Sequence, residues 1–180
     1  MSQSLTHSKS PLAAGMDGSP QQYLTFSLGG EVFALGILNV KEIIEFGNVT
    51  EIPMMPAFIR GVINLRGAVV PVIDLSARFG GAASTVSRRT CIVIVELGDG
   101  EERQDLGVIV DAVNEVLEIP RADIEPPPSF GAKIRADFIQ GMGKVEGRFV
   151  IILNVDRVLS TQEIAMLASM GSDGSTSEEA

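Results

Sequence analysis

The chain contains an internal repeat, and this repeat restricts its possible folds more than any other feature. The segment Phe58–Gly61 reads FIRG and recurs as FIQG at Phe138–Gly141, a shift of 138 − 58 = 80 positions. At the same shift and without a gap, Gly67 aligns with Gly147. Self-similarity at a fixed shift is the signature of a duplicated supersecondary unit. The sequence therefore predicts two halves with the same strand arrangement.

A second match lies upstream of the first. Leu35–Leu38 aligns with Leu106–Ile109, and Val40–Glu45 aligns with Val113–Glu118, provided that the second copy is two residues longer before its valine. A pair of glycines, Gly29-Gly30, separates two apolar runs and is a hairpin signal. We expect each unit to consist of a hairpin, a kinked third strand and a second hairpin.

Short apolar runs rich in β-branched residues predict an all-β fold. Five short strands are too few to bury both faces of an open sheet, so we expect each unit to close into a small barrel. The two barrels would then share an interface with a groove between them. The runs that we assign as strands are Leu24–Leu28, Val32–Leu35, Ala68–Leu75, Ile92–Leu97, Leu106–Val110 and Phe149–Val155.

Small polar residues dominate both ends of the chain, and such segments bury too little apolar area to offset the entropy of ordering. Near the C-terminus, Ser160-Thr161-Gln162-Glu163 has the pattern of a capping box and precedes an apolar helical stripe. The predicted division is a disordered tail at 1–20, a folded region at 21–170 and a disordered tail at 171–180. The folded region comprises subdomain 1 at about 21–86, subdomain 2 at about 87–160 and a closing helix at about 161–169.

The composition disfavours nucleic acid and acidic membranes as partners. The formal net charge is −9 and the pI is about 4.6, whereas neutralising phosphates requires clustered Lys and Arg. Neither a signal peptide nor a spanning stretch of roughly 18 apolar residues is visible. We expect a cytoplasmic protein that reaches the membrane only through a partner.

The sequence offers little material for catalysis. The sole histidine, His7, lies in the predicted N-terminal tail, which excludes a histidine-based triad or metal site inside the fold. Cys91 begins an apolar run and is typical of a small buried hydrophobe. The Gly-x-Gly segments at Gly98–Gly100 and Gly141–Gly143 do not continue into a phosphate-binding loop. We predict no catalytic residue, no metal site and no cofactor.

The two units differ at the turn of their second hairpin. The first unit has Asn64–Gly67 and the second has Lys144–Gly147. The glycine in each is explained by a turn position with positive φ, but the arginine of the first turn, Arg66, is not required by the turn. Arg66 could contact a partner or cap a group within the protein. Pro71 within a strand predicts a sheet edge or bulge, because proline lacks the N–H of a ladder bond.

Several segments resemble the CheW family of chemotaxis adaptors. They are Ile37–Ile43, Pro56–Gly67 and Val70–Leu75 in the first half, with Gly107–Asp111 and Glu115–Leu117 in the second. The likeness covers nearly the whole of the predicted folded region, and its most specific part is the Asn-Leu-Arg-Gly block. The resemblance implies an all-β fold of two SH3-like five-stranded β-barrels packed side by side, with a short C-terminal helix.

The resemblance also implies a function. It implies a non-catalytic adaptor that links the cytoplasmic tip of methyl-accepting chemoreceptors to the histidine kinase CheA, whose regulatory domain has the same double-barrel fold. The receptor's helical hairpin would lie in the apolar groove between the barrels, and the barrel ends would pair with those of the kinase to form rings. The free protein would be a monomer.

The resemblance implies receptor- or kinase-binding roles for a set of residues, most of them transferred from first-half motifs. Two of them, Val108 and Val113, are transferred through the second-half motif. A Gly- and Ala-rich linker, Gly80–Ala83, departs from the family and puts loop contacts near residues 76–90 in doubt. The implied binding residues are Val40, Glu42, Ile43, Gly61, Asn64, Leu65, Arg66, Gly67, Val108 and Val113.

Other interpretations fit parts of the same pattern. An adaptor of another chemosensory pathway, with pili or a further output, would carry the same motifs. A peptide-binding double SH3-like module is the alternative from another class, but such grooves usually present several Tyr and Trp. The chain has one Tyr and no Trp. An enzyme is the least favoured interpretation.

Overall fold

The computed structural model describes residues 21–79, 83–98, 103–127 and 138–158. The predicted tails, the predicted closing helix at 161–169 and most of the Gly80–Ala83 linker lie outside these ranges. The described strands are β1 (Gln21–Leu28), β2 (Glu31–Gly36), β3 (Val40–Glu45), β4 (Ile59–Leu65), β5 (Ala68–Asp74), β6 (Cys91–Leu97), β7 (Gln104–Val110), β8 (Ala112–Ile119), β9 (Ile124–Glu125), β10 (Ile139–Val145) and β11 (Arg148–Leu153). Two short helices, α1 (Leu75–Arg78) and α2 (Val155–Val158), follow β5 and β11.

The strands form two sheets, which confirms the predicted all-β class. Sheet one has the order β3-β6-β7-β5-β4, and sheet two has the order β8-β1-β2-β11-β10-β9. Neighbours pair antiparallel except β5 with β7 and β2 with β11, which are parallel. The parallel pairing of β5 begins only at Val72. Pro71 therefore lies where β5 pairs with β4 alone, a place that tolerates its missing N–H.

Each sheet curls around a core of its own. In sheet one, Ile44 of β3 and Ile63 of β4 pack in the same apolar cluster, although their strands are at opposite ends of the sheet. In sheet two, Leu117 of β8 and Ile124 of β9 likewise pack against the cluster that contains Ile152. The end strands of each sheet therefore approach each other across a shared interior, as in the predicted barrels.

A third and larger cluster lies between the two sheets. Phe26 and Phe33 from sheet two pack there with Val93 and Leu106 from sheet one. The ring of Phe79, which follows α1, lies 5.8 Å from that of Phe33. Burying side chains of this size contributes roughly 1.5–3 kcal/mol each, so this cluster joins the two barrels firmly.

The barrels do not correspond to the two halves of the sequence, and the predicted subdomain boundary near residue 86 is wrong as a barrel boundary. Sheet one consists of the continuous segment 40–110, whereas sheet two combines 21–36 with 112–153. The first hairpin of each unit has crossed to the other unit's sheet. A hairpin's own pattern of apolar and turn residues is the same whichever strands complete its sheet, so the sequence could not reveal this exchange.

The upstream alignment also needs correction. Ala34 of β2 pairs with Ile152 and Gly107 of β7 pairs with Val72, and 152 − 72 is again 80. Ala34 and Gly107 are therefore equivalent, at a shift of 107 − 34 = 73. Val40 and Val113 have the same shift, 113 − 40 = 73, so the two-residue insertion does not exist.

Gly107, which the sequence alignment wrongly matched with Gly36, has a packing role. A Cβ on Gly107 would lie 2.8 Å from Cγ2 of Ile92 and 3.2 Å from Cγ2 of Val72. Its equivalent, Ala34, is fully buried in the other barrel. Both barrels thus need a small residue here, and the identity between Gly36 and Gly107 is coincidental.

Candidate interaction surface

The turn between β4 and β5 is built by its asparagine and glycine. Arg66 and Gly67 have φ values of +54° and +88°, as the two central residues of a tight hairpin turn do. The Asn64 side chain accepts a hydrogen bond from the Gly67 N–H at 3.0 Å. Leu65 packs against the core of sheet one. The turn is therefore rigid, and its geometry leaves the side chain of Arg66 at the surface.

Arg66 forms a two-bond ion pair with Glu42 of β3. Its two terminal nitrogens donate to the two carboxylate oxygens of Glu42, each at 2.8 Å. These hydrogen bonds lower the pKa of Glu42 and raise that of Arg66. The contribution of the pair is present at neutral pH and is lost as the pH falls through the lowered pKa of Glu42.

The turn sequence left open whether Arg66 contacts a partner or a group within the protein, and the ion pair answers only part of this question. Arg66 has a partner within the protein, but its side chain is still 71% exposed, against 27% for Glu42. A guanidinium carries five N–H donors, and further donors therefore face solvent. Arg66 can keep Glu42 and bind a second acceptor. Glu42 and Arg66 are 24 residues apart in the sequence, and no local pattern indicates that they are paired.

Gly61 contributes through the backbone and not through an exposed surface. It is buried in β4 with a φ of +151°, and a Cβ there would collide with the carbonyl oxygen of Thr50. Thr50 and Val62 exchange two backbone hydrogen bonds, at 2.8 and 2.9 Å. Gly61 thus allows the segment at Thr50 to close on β4 near the base of the hairpin that carries Arg66.

The three valines of the predicted site lie apart from the turn. Val108 is only 3% exposed, in the cluster between the sheets. Its side chain is not available to a partner in this conformation. Val40 and Val113 are partly buried and pack against the same cluster. Ile43 is 42% exposed on β3. The predicted residues therefore form a turn group, which includes Glu42 and Arg66, and a group at the junction of the barrels.

Sequence reasoning missed an exposed leucine beside this junction. Leu38 is 93% exposed in the 3-10 turn between β2 and β3, and its neighbour Ile37 packs against the cluster between the sheets. At the corrected shift of 73 its equivalent is Asp111, whose carboxylate accepts a hydrogen bond from the Gly29 N–H at 2.9 Å. One position thus carries an exposed apolar side chain in one unit and a structural acid in the other. That asymmetry appears only at the shift that the strand pairing defines, so the sequence alone did not reveal it.

The described residues show no grouping suited to metal binding. Cys91 is half-buried, and burial, followed by the charge of Glu45, raises the pKa of its thiol, which disfavours the reactive thiolate. No helix in the described ranges has the length and apolar character needed to cross a bilayer.

Comparison with known proteins agrees with this geometry. Residues 22–163 match the CheW-like domain. The chain is 33% identical to the chemotaxis protein CheW of Klebsiella aerogenes, over 82% of this chain and 86% of that protein. It is also 33% identical to the chemotaxis protein CheW of Rhizobium meliloti, over 79% and 90% of the two chains.

A solved structure gives the same result. The scaffolding protein TtCheW of Thermoanaerobacter tengcongensis superposes with a TM-score of 0.72 at 38% identity, covering 80% of this chain and 90% of that one. Fold and sequence thus agree over most of both chains, and this chain belongs to the CheW family.

Proposed function

We propose that this protein is a non-catalytic adaptor that couples methyl-accepting chemoreceptors to the histidine kinase CheA in a chemotaxis array. The observation that carries the proposal is the Arg66 turn, in which a rigid hairpin holds a largely exposed guanidinium at the surface of a barrel. Exposed arginines on rigid supports are preferred for binding carboxylates and carbonyls of partner proteins. Membership of the CheW family and its scaffolding relative supports the same role.

The junction of the barrels is the surface that we assign to the receptor. Leu38 is exposed there, and Val40 and Val113 lie partly exposed above the cluster between the sheets. A helical hairpin can place an apolar stripe on such residues, as in other cases of helix-in-groove recognition. The barrel ends, including the Arg66 turn, would then be free for the kinase regulatory domain.

The adaptor would act in the cytoplasm and reach the inner face of the membrane through its receptors. The net charge of −9 supports this arrangement, because an acidic protein gains nothing from direct contact with anionic lipids. Each single contact is expected to be weak, and the array would supply strength through multivalency.

The adaptor proposal is tested by two separate binding measurements. A receptor cytoplasmic fragment and the kinase regulatory domain should each be retained by the immobilised protein at micromolar concentrations, and together they should form a ternary complex. Retention of only one partner would reduce the protein to a binding module for that partner. Loss of both interactions would contradict the proposal.

Arg66→Glu is expected to leave the melting temperature nearly unchanged and to weaken binding of at least one of the two partners about tenfold or more. The reason is that the side chain is mostly exposed, while the reversed charge would repel a partner's acceptor. Titration calorimetry with each partner measures the effect. Arg88→Glu, an exposed arginine outside the turn, is the matched control.

A charge swap separates the internal role of Arg66 from its role toward a partner. Glu42→Arg combined with Arg66→Glu rebuilds an ion pair between the same two positions. If the internal pair alone matters, the double variant should bind as the wild type does. We expect it to remain defective, because the partner would still meet a carboxylate where it requires a guanidinium.

A further inference from the structure

Arg78 lies where the two repeated units meet. At the shift of 80, α1 corresponds to α2 and Phe58 corresponds to Phe138. Leu75 of α1 and its equivalent Val155 of α2 pack in the same cluster between the sheets. Phe58 packs against that cluster as well. Equivalent residues of both units therefore surround the place from which the side chain of Arg78 extends.

The side chain of Arg78 contacts both units at once. The central carbon of its guanidinium lies 4.7 Å from the ring centre of Phe58 and 5.3 Å from that of Phe138. Its Nε donates a hydrogen bond to the carbonyl oxygen of Val158, the last residue of α2, at 2.8 Å. Because the face of an aromatic ring attracts a cation, both rings hold the guanidinium. One side chain from α1 thus binds two groups of the other unit.

The first unit alone supplies this arginine. At the shift of 80, Arg78 corresponds to Val158, the residue whose carbonyl oxygen accepts its hydrogen bond. Val158 is 2% exposed and packs in the cluster between the sheets. Guanidinium groups at both positions would lie close together and repel each other. A single cation therefore serves the aromatic rings of both units.

The contacts of Arg78 are directional, whereas those of the surrounding cluster are not. Apolar burial holds the barrels together in proportion to the area removed from water, without a preferred direction. A hydrogen bond weakens steeply when its donor and acceptor move out of line, and the guanidinium must lie over the face of each ring. The ring of Phe79, the next residue, lies 5.7 Å from that of Phe138. Arg78 and Phe79 together restrict the rotation of one barrel against the other.

We propose that Arg78 is the positioning residue that sets the angle between the two barrels, and that receptor binding depends on this angle. The second part rests on the proposed function, which assigns the receptor to the junction of the barrels. Val40 of β3 and its equivalent Val113 of β8 pack against the cluster from different barrels, so a rotation between the barrels changes their spacing. The Arg66 turn belongs to sheet one alone, and its geometry is independent of the angle.

Residual dipolar couplings of the ¹⁵N-labelled full chain test the angle without any partner. In the wild type, the amide couplings of the two barrels should fit one alignment tensor. Arg78→Met keeps an apolar stem but removes the charge and the hydrogen bond, so its barrels should require two different tensors. Arg78→Lys keeps a cation and a donor and should stay close to the wild type. Arg157→Met, at an exposed position of α2, is the matched control.

Titration of Arg78→Met with each partner separates positioning from a loss of stability. If the orientation that binds the receptor falls to about a fifth of the molecules, the affinity for a receptor cytoplasmic fragment falls about fivefold. The affinity for the kinase regulatory domain should change less than about twofold, because the Arg66 turn does not sense the angle. A variant that was only less stable would lose both partners in proportion to its unfolded fraction.

Three results would overturn this proposal. They are a single tensor that still fits both barrels of Arg78→Met, an equal loss of affinity for the two partners, and an Arg157→Met control with the same defects. A wild type that bound no receptor fragment would contradict the adaptor function instead. The dipolar couplings would then still report whether Arg78 sets the angle, since they are measured on the free protein.

Discussion

Gly61→Val is expected to lower the free energy of unfolding by about 3 kcal/mol or more. A side chain at this position meets the carbonyl oxygen of Thr50, and its Cβ would also lie 2.7 Å from the carbonyl carbon of Thr50. The backbone φ of +151° is unfavourable for any residue with a Cβ. Relief would require breaking the two hydrogen bonds between Thr50 and Val62. Urea unfolding followed by far-ultraviolet circular dichroism measures the loss.

Two other glycines separate the causes of that loss. Gly67→Ala keeps the strain of a positive φ but has open space around its Cβ, so it should cost about 1 kcal/mol. Gly141→Ala, at the equivalent position in the other barrel, meets the Cγ2 of Ile124 at 2.6 Å and the Glu125 carbonyl oxygen at 3.0 Å. It should be less damaging than Gly61→Ala. Equal losses of unfolding free energy for Gly61→Ala and Gly67→Ala would show that the collision with Thr50 is unimportant.

Asp74→Ala should cost about 3 kcal/mol, the second largest effect that we expect. Asp74 is 1% exposed and accepts hydrogen bonds from the Arg60 guanidinium at 2.9 Å and from the Ser84 backbone and hydroxyl at 2.9 and 2.8 Å. It also caps α1 through the N–H groups of Ser76 and Ala77. Alanine would leave these donors without their acceptor. Chemical unfolding measures the cost.

The repeat supplies the control for this prediction. Arg60 and Asp74 correspond to Gln140 and Asn154 in the second unit, at the shift of 80. The double substitution Arg60→Gln with Asp74→Asn therefore reproduces a neutral arrangement that the fold already uses. It should cost less than the sum of its two single substitutions, because the charged partners are removed together. Additive losses would mean that Arg60 and Asp74 do not stabilise each other.

The duplication and the strand class were readable from the sequence, but the pairing of the strands was not. Apolar runs and paired glycines locate β1 and β2 to within a few residues, since these signals are local. Which sheet the hairpin joins depends on contacts with β8 and β11, which lie about 90 to 120 residues further along the chain. Such contacts leave no pattern in a single sequence. The misplaced alignment of Gly36 with Gly107 had the same cause, because only the ladder with β5 defines the true register.

The sequence identified several residues of the candidate site, but it did not indicate how they contact each other. The turn sequence singled out Arg66, and the resemblance added Glu42 and Gly61. Nothing in the sequence indicated that Arg66 and Glu42 are bonded to each other, or that Gly61 acts by admitting the Thr50 carbonyl. Val108 was placed at an interaction surface because the motif alignment cannot distinguish a buried strand residue from an exposed one.

The crossing of the two hairpins also affects how this protein could be cut and rejoined. The strands of sheet one already form an unbroken stretch, so that barrel is in effect inserted into the other between β2 and β8. A circularly permuted chain that begins at β3 and reads through the original termini into β1 and β2 would encode the two barrels one after the other. Cleavage near residue 86, by contrast, would divide sheet one and leave neither fragment with a full set of strands.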